Sequence, residues 1–276
     1  MKTNKISYSL GITPKFMVVF LLFNGILFSC NNSEKKQDAV NIDHPIVGKW
    51  IKVGHTGNTS FNFKKNGLVE GDFGNDKSID VVAEYEIKND TIKFVDKKGQ
   101  ACEGYGLYKI DQTDNYVSFD LIEDNCAGRI KTTLGFWVRP NFEDTLSKLN
   151  TQIENSSQLE LLLNRGRVFL AIGKSVQAKQ DFDSFISQDS TNARVYINRA
   201  GTRFPHDMKG AVLDCNKSIE LNPKNKNAYF LRGLAKYELG EKEQACEDFE
   251  KAIELGFSIL RIAEQKRCEN FWVKTE

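Results

Sequence analysis

The sequence predicts an α+β chain in which a small, eight-stranded antiparallel β-barrel precedes an all-α solenoid. Three observations carry this. Between Val47 and Arg139 apolar residues alternate with polar ones at period two, broken by short turns. Beyond Arg139 the period is helical, and the stretch from Ala228 to Gly256 shows two such runs parted by one glycine, Gly240. That helical hairpin recurs. Small residues Gly166, Ala200 and Gly233 each follow an arginine, Arg165, Arg199 and Arg232, and Ala178, Ala211 and Ala245 open the similar runs AKQDF, AVLDC and ACEDF. The steps are all 33 or 34 residues.

A chain of 276 residues has room for two such domains, each able to bury its own core. Residues 1–29 read as an export signal: Lys2, Lys5 and Lys15 precede an apolar run from Phe16 to Phe28. That run contains Asn24 and Gly25 and is shorter than the roughly 20 apolar residues a membrane span needs. Leu27-Phe28-Ser29-Cys30 resembles the bacterial lipobox, and the resemblance implies cleavage before Cys30 and its lipidation, anchoring the chain to the cell membrane at the periplasmic face or the cell surface. Residues 30–45 are polar and without period, as a tether would be. Lys and Arg number 38 and Asp and Glu 37, and three of the lysines precede Cys30, so cleavage leaves a slightly acidic chain with no basic face for nucleic acid.

The β domain is expected over 46–140, with strands near 47–53, 59–64, 67–73, 79–88, 91–95, 101–109, 115–122 and 129–138. Asn66-Gly67 and Asn89-Asp90 are hairpin dipeptides, because these residues accept the positive φ that tight turns require. Eight antiparallel strands close a barrel. Val47-Gly48-Lys49-Trp50 resembles the G-x-W signature of lipocalin-like barrels, which implies that Trp50 plugs the closed end and that Arg139 lies over it. The interior either is filled, by Phe61, Phe63, Tyr85, Phe94, Phe119 and Phe136, or holds one small apolar ligand; filling is the expectation.

The helical domain is expected over 141–276. Asn141, with Asp144, caps a lone helix over 142–155 that covers the first repeat, and Ser157-Gln158-Leu159-Glu160 reads as a capping box. Repeats follow at about 159–192, 193–225 and 226–257. In the second, Phe204-Pro205-His206-Asp207 ends the first helix early and Asp207 caps the next. A C-terminal capping helix closes the stack over 258–270. The pattern of small and large residues in these hairpins resembles the tetratricopeptide repeat. The resemblance implies a concave groove lined by Leu163, Arg167, Leu170, Arg194, Ile197, Phe204, Phe230 and Tyr237, which takes a protein or peptide partner.

Export places the cysteines in an oxidising compartment. With Cys30 lipidated, the hairpin between Cys102 and Cys126 and the matched heights of Cys246 and Cys268 on antiparallel helices pair those four, and Cys215 stays a buried thiol. No histidine pair, C-x-x-C, G-x-S-x-G or phosphate-binding glycine loop is present, so no catalytic residue, metal or cofactor is expected. The function this supports is a membrane-anchored, exported, non-enzymatic scaffold for protein–protein interaction. The alternatives are a carrier of a small apolar ligand in the barrel and a structural cell-envelope protein.

Overall fold

The computed structural model describes residues 41–54, 57–74, 76–99, 102–257 and 268. The expected signal, the expected lipobox with Cys30 and the first part of the expected tether lie outside these residues, as does the span expected to form a C-terminal capping helix, apart from Cys268.

Eight strands follow one another as an up-and-down sheet in the order β1 to β8. They are β1 Gly48–Gly54, β2 Gly57–Phe63, β3 Leu68–Asp72, β4 Val81–Lys88, β5 Thr91–Gly99, β6 Gly106–Gln112, β7 Val117–Asp124 and β8 Gly135–Trp137. Gly67 and Asn89 take positive φ at the β2–β3 and β4–β5 turns, as their place in tight hairpins requires. The sheet closes on itself where Ile51 and Val138 exchange backbone hydrogen bonds of 2.8 and 3.0 Å. Closure leaves no long free edge.

The plug forms as the lipocalin-like signature implies. Trp50 is 1% exposed, and its indole N–H donates to the Ile46 carbonyl at 2.6 Å. The Arg139 guanidinium lies 3.8 Å from the centre of that ring and donates to the Pro45 and Val47 carbonyls. Gly48 is needed beneath it: its φ is +114°, and a Cβ there would stand 2.6 Å from Arg139 Nη1.

Two details of the barrel depart from the sequence reading. Residues expected to begin the last strand instead form a short helix, α1 Ala127–Thr133, before β8. Ile130 and Leu134, four apart, fit a helical face as well as a strand. The helix is held at its start by tertiary bonds: Cys126 N–H donates to Asp124, and Arg129 binds Asp124 through Nε and Nη2 at 2.6 and 2.8 Å. With β8 cut to three residues, Trp137 points inward and stacks on Phe61 at 4.5 Å. Phe136 therefore points outward and packs edge-on to Tyr116 at 5.5 Å. The other five predicted fillers, Phe61, Phe63, Tyr85, Phe94 and Phe119, are buried in one cluster.

Among the described residues seven longer helices follow: α2 Phe142–Asn155, α3 Leu159–Ala171, α4 Ser175–Gln188, α5 Ala193–Arg203, α6 Met208–Leu221, α7 Lys226–Glu238 and α8 Lys242–Glu254. In the α3–α4 and α7–α8 hairpins a ring fills the crossing. A Cβ at Gly166 or Gly233 would meet Phe182 or Phe249 at 2.5 or 2.6 Å, and both rings are fully buried. Cys215 takes the equivalent place in the middle hairpin. Asp207 caps α6 by accepting from Gly210 N–H at 2.9 Å. Neither Asn141 nor the residues before α3 make a side-chain cap, so the predicted capping box is not formed.

The recurring arginines hold the stack together. Each binds the aspartate of the quoted run in its own hairpin and then reaches back to the helix before it. Arg165 binds Asp181 at 2.6 and 2.9 Å and Asn150 at 2.7 Å. Arg199 binds Asp214 at 2.5 and 3.0 Å and Asp183 at 2.8 Å. Arg232 binds Asp248 at 2.8 Å and Asn216 at 2.7 Å. Asn150 in α2 thus occupies the position held by Asp183 and Asn216 in α4 and α6, which makes α2 the second helix of a half-repeat that continues the ladder. The five donors and fixed plane of a guanidinium allow this double role, which a lysine could not fill.

Disulfides join Cys102 to Cys126 and Cys246 to Cys268, while Cys215 is a buried free thiol. Burial and, secondarily, the neighbouring Asp214 push the Cys215 pKa up to about 12, so almost no thiolate exists at neutral pH. Iodoacetamide at pH 8 is expected to leave Cys215 unmodified in the native protein and to label it once urea unfolds the chain. Labelling of native Cys215 within minutes, read by peptide mass spectrometry, would contradict its place in the core.

Candidate protein-binding face

The first helices of successive hairpins, α3, α5 and α7, touch one another. They therefore share one side of the stack. A row of basic side chains, one from each, leaves this side toward the barrel. Arg167 of α3 donates to the Tyr116 hydroxyl and lies 5.2 and 5.5 Å from the Tyr116 and Phe136 ring centres. Arg194 of α5 pairs with Asp111 of β6 at 2.6 Å. Lys226 of α7 donates to the Leu121 carbonyl of β7 at 3.0 Å and to the Gly256 carbonyl at 3.1 Å. Burial pushes the pKa of Arg167 down and that of Tyr116 up. Asp120, beside this row, has its carboxyl pKa raised by burial, with Arg194 opposing the rise.

An apolar cluster completes the contact. Tyr116, Val138, Leu149, Val168, Ala171 and Ile172 are buried together, with Ile51, Val53 and Phe136 of the barrel against Leu146, Leu161 and Phe169 of the helices. Barrel and helices thus lie in one compact unit from Ala39 onward.

This packing changes the reading of the predicted groove. Leu163 is 1% exposed and sits with Phe182, Phe185 and Val195 between the first and second repeats, and Leu170 packs at its edge. Ile197 and Phe204 pack on the Ala200–Cys215 cluster in the same way. Phe230 stacks on Phe257 at 4.4 Å, and Tyr237 packs near Phe249 with Lys242 Nζ 5.9 Å from its ring centre. The two arginines are bound to the barrel. The rows expected to face a partner are thus half-buried inter-repeat packing and barrel contacts, because a repeat alignment locates the inner side of a stack but not what already covers it. Gly201, in the middle of this side, stays exposed, with open space where a Cβ would stand.

Residues 227–255 match the family of the tetratricopeptide repeat. The third hairpin is therefore similar to a tetratricopeptide repeat, and the two hairpins before it share its period, its small residues and its arginine–aspartate pair. The human mitochondrial import receptor subunit TOM70 is 29% identical over 122 residues, covering 42% of this chain and 20% of its own length. The RNA polymerase II-associated protein 3 of Mus musculus is 27% identical over 178 residues, covering 61% of this chain and 27% of its own. The chain therefore spans about a fifth to a quarter of these curated relatives. Among solved structures, the second tetratricopeptide domain of Spaghetti (RPAP3), bound to the HSP90 peptide SRMEEVD, is 30% identical at a TM-score of 0.35, covering 37% of this chain and 95% of that one.

The sequence contained a signal for the arginine ladder that its reading left unused. The aspartates recur in the runs AKQDF, AVLDC and ACEDF with the same spacing as the arginines, and co-recurring opposite charges at core-facing positions point to buried pairs. Nothing comparable announces the barrel contacts of Arg167, Arg194 and Lys226, whose partners lie 51, 83 and 105 residues away in another domain.

Proposed function

We propose that the protein is an exported, lipid-anchored scaffold that holds a protein or peptide partner on its tetratricopeptide repeats. The observation that carries this is the three-hairpin stack, locked by its arginine ladder and presenting a shared face of first helices. Such stacks work by surface, and relatives named as an import receptor and a polymerase-associated protein fit a binding role without catalysis. The barrel takes Arg167 of α3 and the first residues of α5 and α7, Arg194 and Lys226, so the partner sits toward the far ends of α5 and α7, around Gly201, Phe204 and Tyr237. Cys30 supplies the anchor and the polar tether sets the stack off the membrane; the barrel stands between them as a rigid spacer with its plug closed.

Two measurements test this. Cys30→Ala is expected to abolish partition of the mature protein into detergent, and a variant that still partitions would reject the lipid anchor. Gly201→Trp fills the open part of the face. It is expected to lower recovery of proteins co-purified from native membranes at least tenfold while leaving the melting temperature within about 2 °C. Unchanged recovery would move the partner site off this face.

A further inference from the structure

We propose that the Cys102–Cys126 disulfide is a thiol-exchange site, at which a small neutral or cationic thiol is captured as a mixed disulfide on Cys102. The two bridges among the described residues differ in access. Cys246 and Cys268 are 2% and 0% exposed, inside the cluster around Phe249. Cys102 is half-buried, and it borders two surface hollows of about 550 and 540 Å³ that Glu103 and Gly104 also line. Their rim is bare at Gly104, where a Cβ would have no atom within 4 Å. Cys126 borders the second hollow but is itself 9% exposed.

A thiolate attacks one sulfur of a disulfide and expels the other, so access selects the sulfur attacked and stabilisation of the departing thiolate helps to set the rate. Cys102 is the accessible partner. Cys126 Sγ already accepts from the Arg129 N–H at 3.3 Å, so a donor is in place for the charge it acquires on leaving. The backbone at both sulfurs is held: Cys102 N–H donates to Asp96 at 2.9 Å and Cys126 N–H to Asp124 at 2.7 Å. The incoming thiolate forms a bond to Cys102 Sγ, the Cys102–Cys126 bond breaks, and its electron pair leaves on Cys126 Sγ, which then takes a proton from water. One disulfide replaces another, with no net oxidation. The charge of the hollows determines the class of thiol. Glu103 and Asp96 line the first of them against Lys93, and Glu123 stands beside it, accepting from the Tyr105 hydroxyl at 2.9 Å. Arg129 Nη1 lies 3.0 Å from Asp96, but the same guanidinium also serves Asp124 through its other two nitrogens. The balance is acidic, so it opposes a carboxylate or sulfonate carried beside the thiol and favours an ammonium or an uncharged group. The site is separate from the repeat face and does not depend on the scaffold reading.

The test exposes the folded, full-length protein at pH 8 and low ionic strength to cysteamine or to mercaptoethanesulfonate, quenches with iodoacetamide and maps the peptides by mass spectrometry. The first product is expected to carry the thiol on Cys102 and the alkyl group on Cys126, and to form at least tenfold faster than the Cys246–Cys268 bridge opens. Glu103→Lys reverses one exposed charge at the hollows. It is expected to lower the ratio of the cysteamine rate to the mercaptoethanesulfonate rate at least threefold; comparing the same two thiols before and after the substitution cancels their intrinsic reactivities. Capture on Cys126, opening of both bridges at one rate, or a ratio unmoved by Glu103→Lys in a variant of unchanged circular dichroism would overturn the proposal.

Discussion

Asp214→Ala is expected to cost about 3 kcal/mol of folding stability, among the largest losses of any single substitution in the helical half. Asp214 is 3% exposed and takes Arg199 through both carboxylate oxygens and Arg203 through one, at 2.8 Å. Its removal leaves two guanidiniums facing each other with their compensating charge gone, although Asp183 and Asp207 still touch them. Those exposed remnants, and side chains of the two arginines that stay 17% and 18% exposed, keep the expected loss at the lower end of the range for broken buried pairs. Replacing the whole cluster, with Arg199→Met, Arg203→Met and Asp214→Leu together, is expected to cost less than Asp214→Ala alone, because no buried charge is then left unpaired. Urea unfolding at pH 7 measures both. A loss below 1 kcal/mol for Asp214→Ala would mean that the ladder is solvated and that ring packing alone holds the stack.

The ladder also shows where sequence reasoning succeeds and where it stops. Period, turn chemistry and the spacing of small residues give the order of strands and hairpins, since each depends on neighbours within about 34 residues. The plug of Trp50 and Arg139 was legible because a short motif fixes both ends of the chain's path round the barrel. The cysteine pairs were legible for a similar reason, each lying across one turn. The start of the last strand was not, because the apolar residues Ile130 and Leu134 satisfy both periods and the choice is made by Asp124, Asp96 and a disulfide. Phe136 follows from that choice, since a strand shortened to three residues inverts which ring points inward. The groove was the largest departure. Alignment of the repeats places Arg167 and Arg194 on the inner side of the stack, where the α3 and α5 contacts put them, but their partners Tyr116 and Asp111 belong to a domain whose docking leaves no local mark.

That docking has a consequence for how the chain unfolds. The cluster shared by β1, β8, α2 and α3 buries Tyr116 and Val138 from one side and Leu149, Val168 and Ala171 from the other. Gly173, at φ +74°, lets the end of the first hairpin helix come down on Val53, where a Cβ would already be 3.4 Å from the valine side chain. An interface of that kind is a core divided between two domains rather than a flexible joint. The barrel and the repeats are therefore expected to unfold in one transition. In a Trp272→Phe background the fluorescence of Trp50 and Trp137 reports the barrel, and the ellipticity at 222 nm is dominated by the helices; the two midpoints in urea are expected to coincide. Arg167→Ala removes a guanidinium that lies over two rings and leaves the buried Tyr116 hydroxyl without its donor, a loss of about 2 kcal/mol. Both signals are expected to shift together by that amount. If Arg167→Ala moves the helical midpoint and leaves the tryptophan midpoint in place, the two domains fold independently and the contact serves only to orient them.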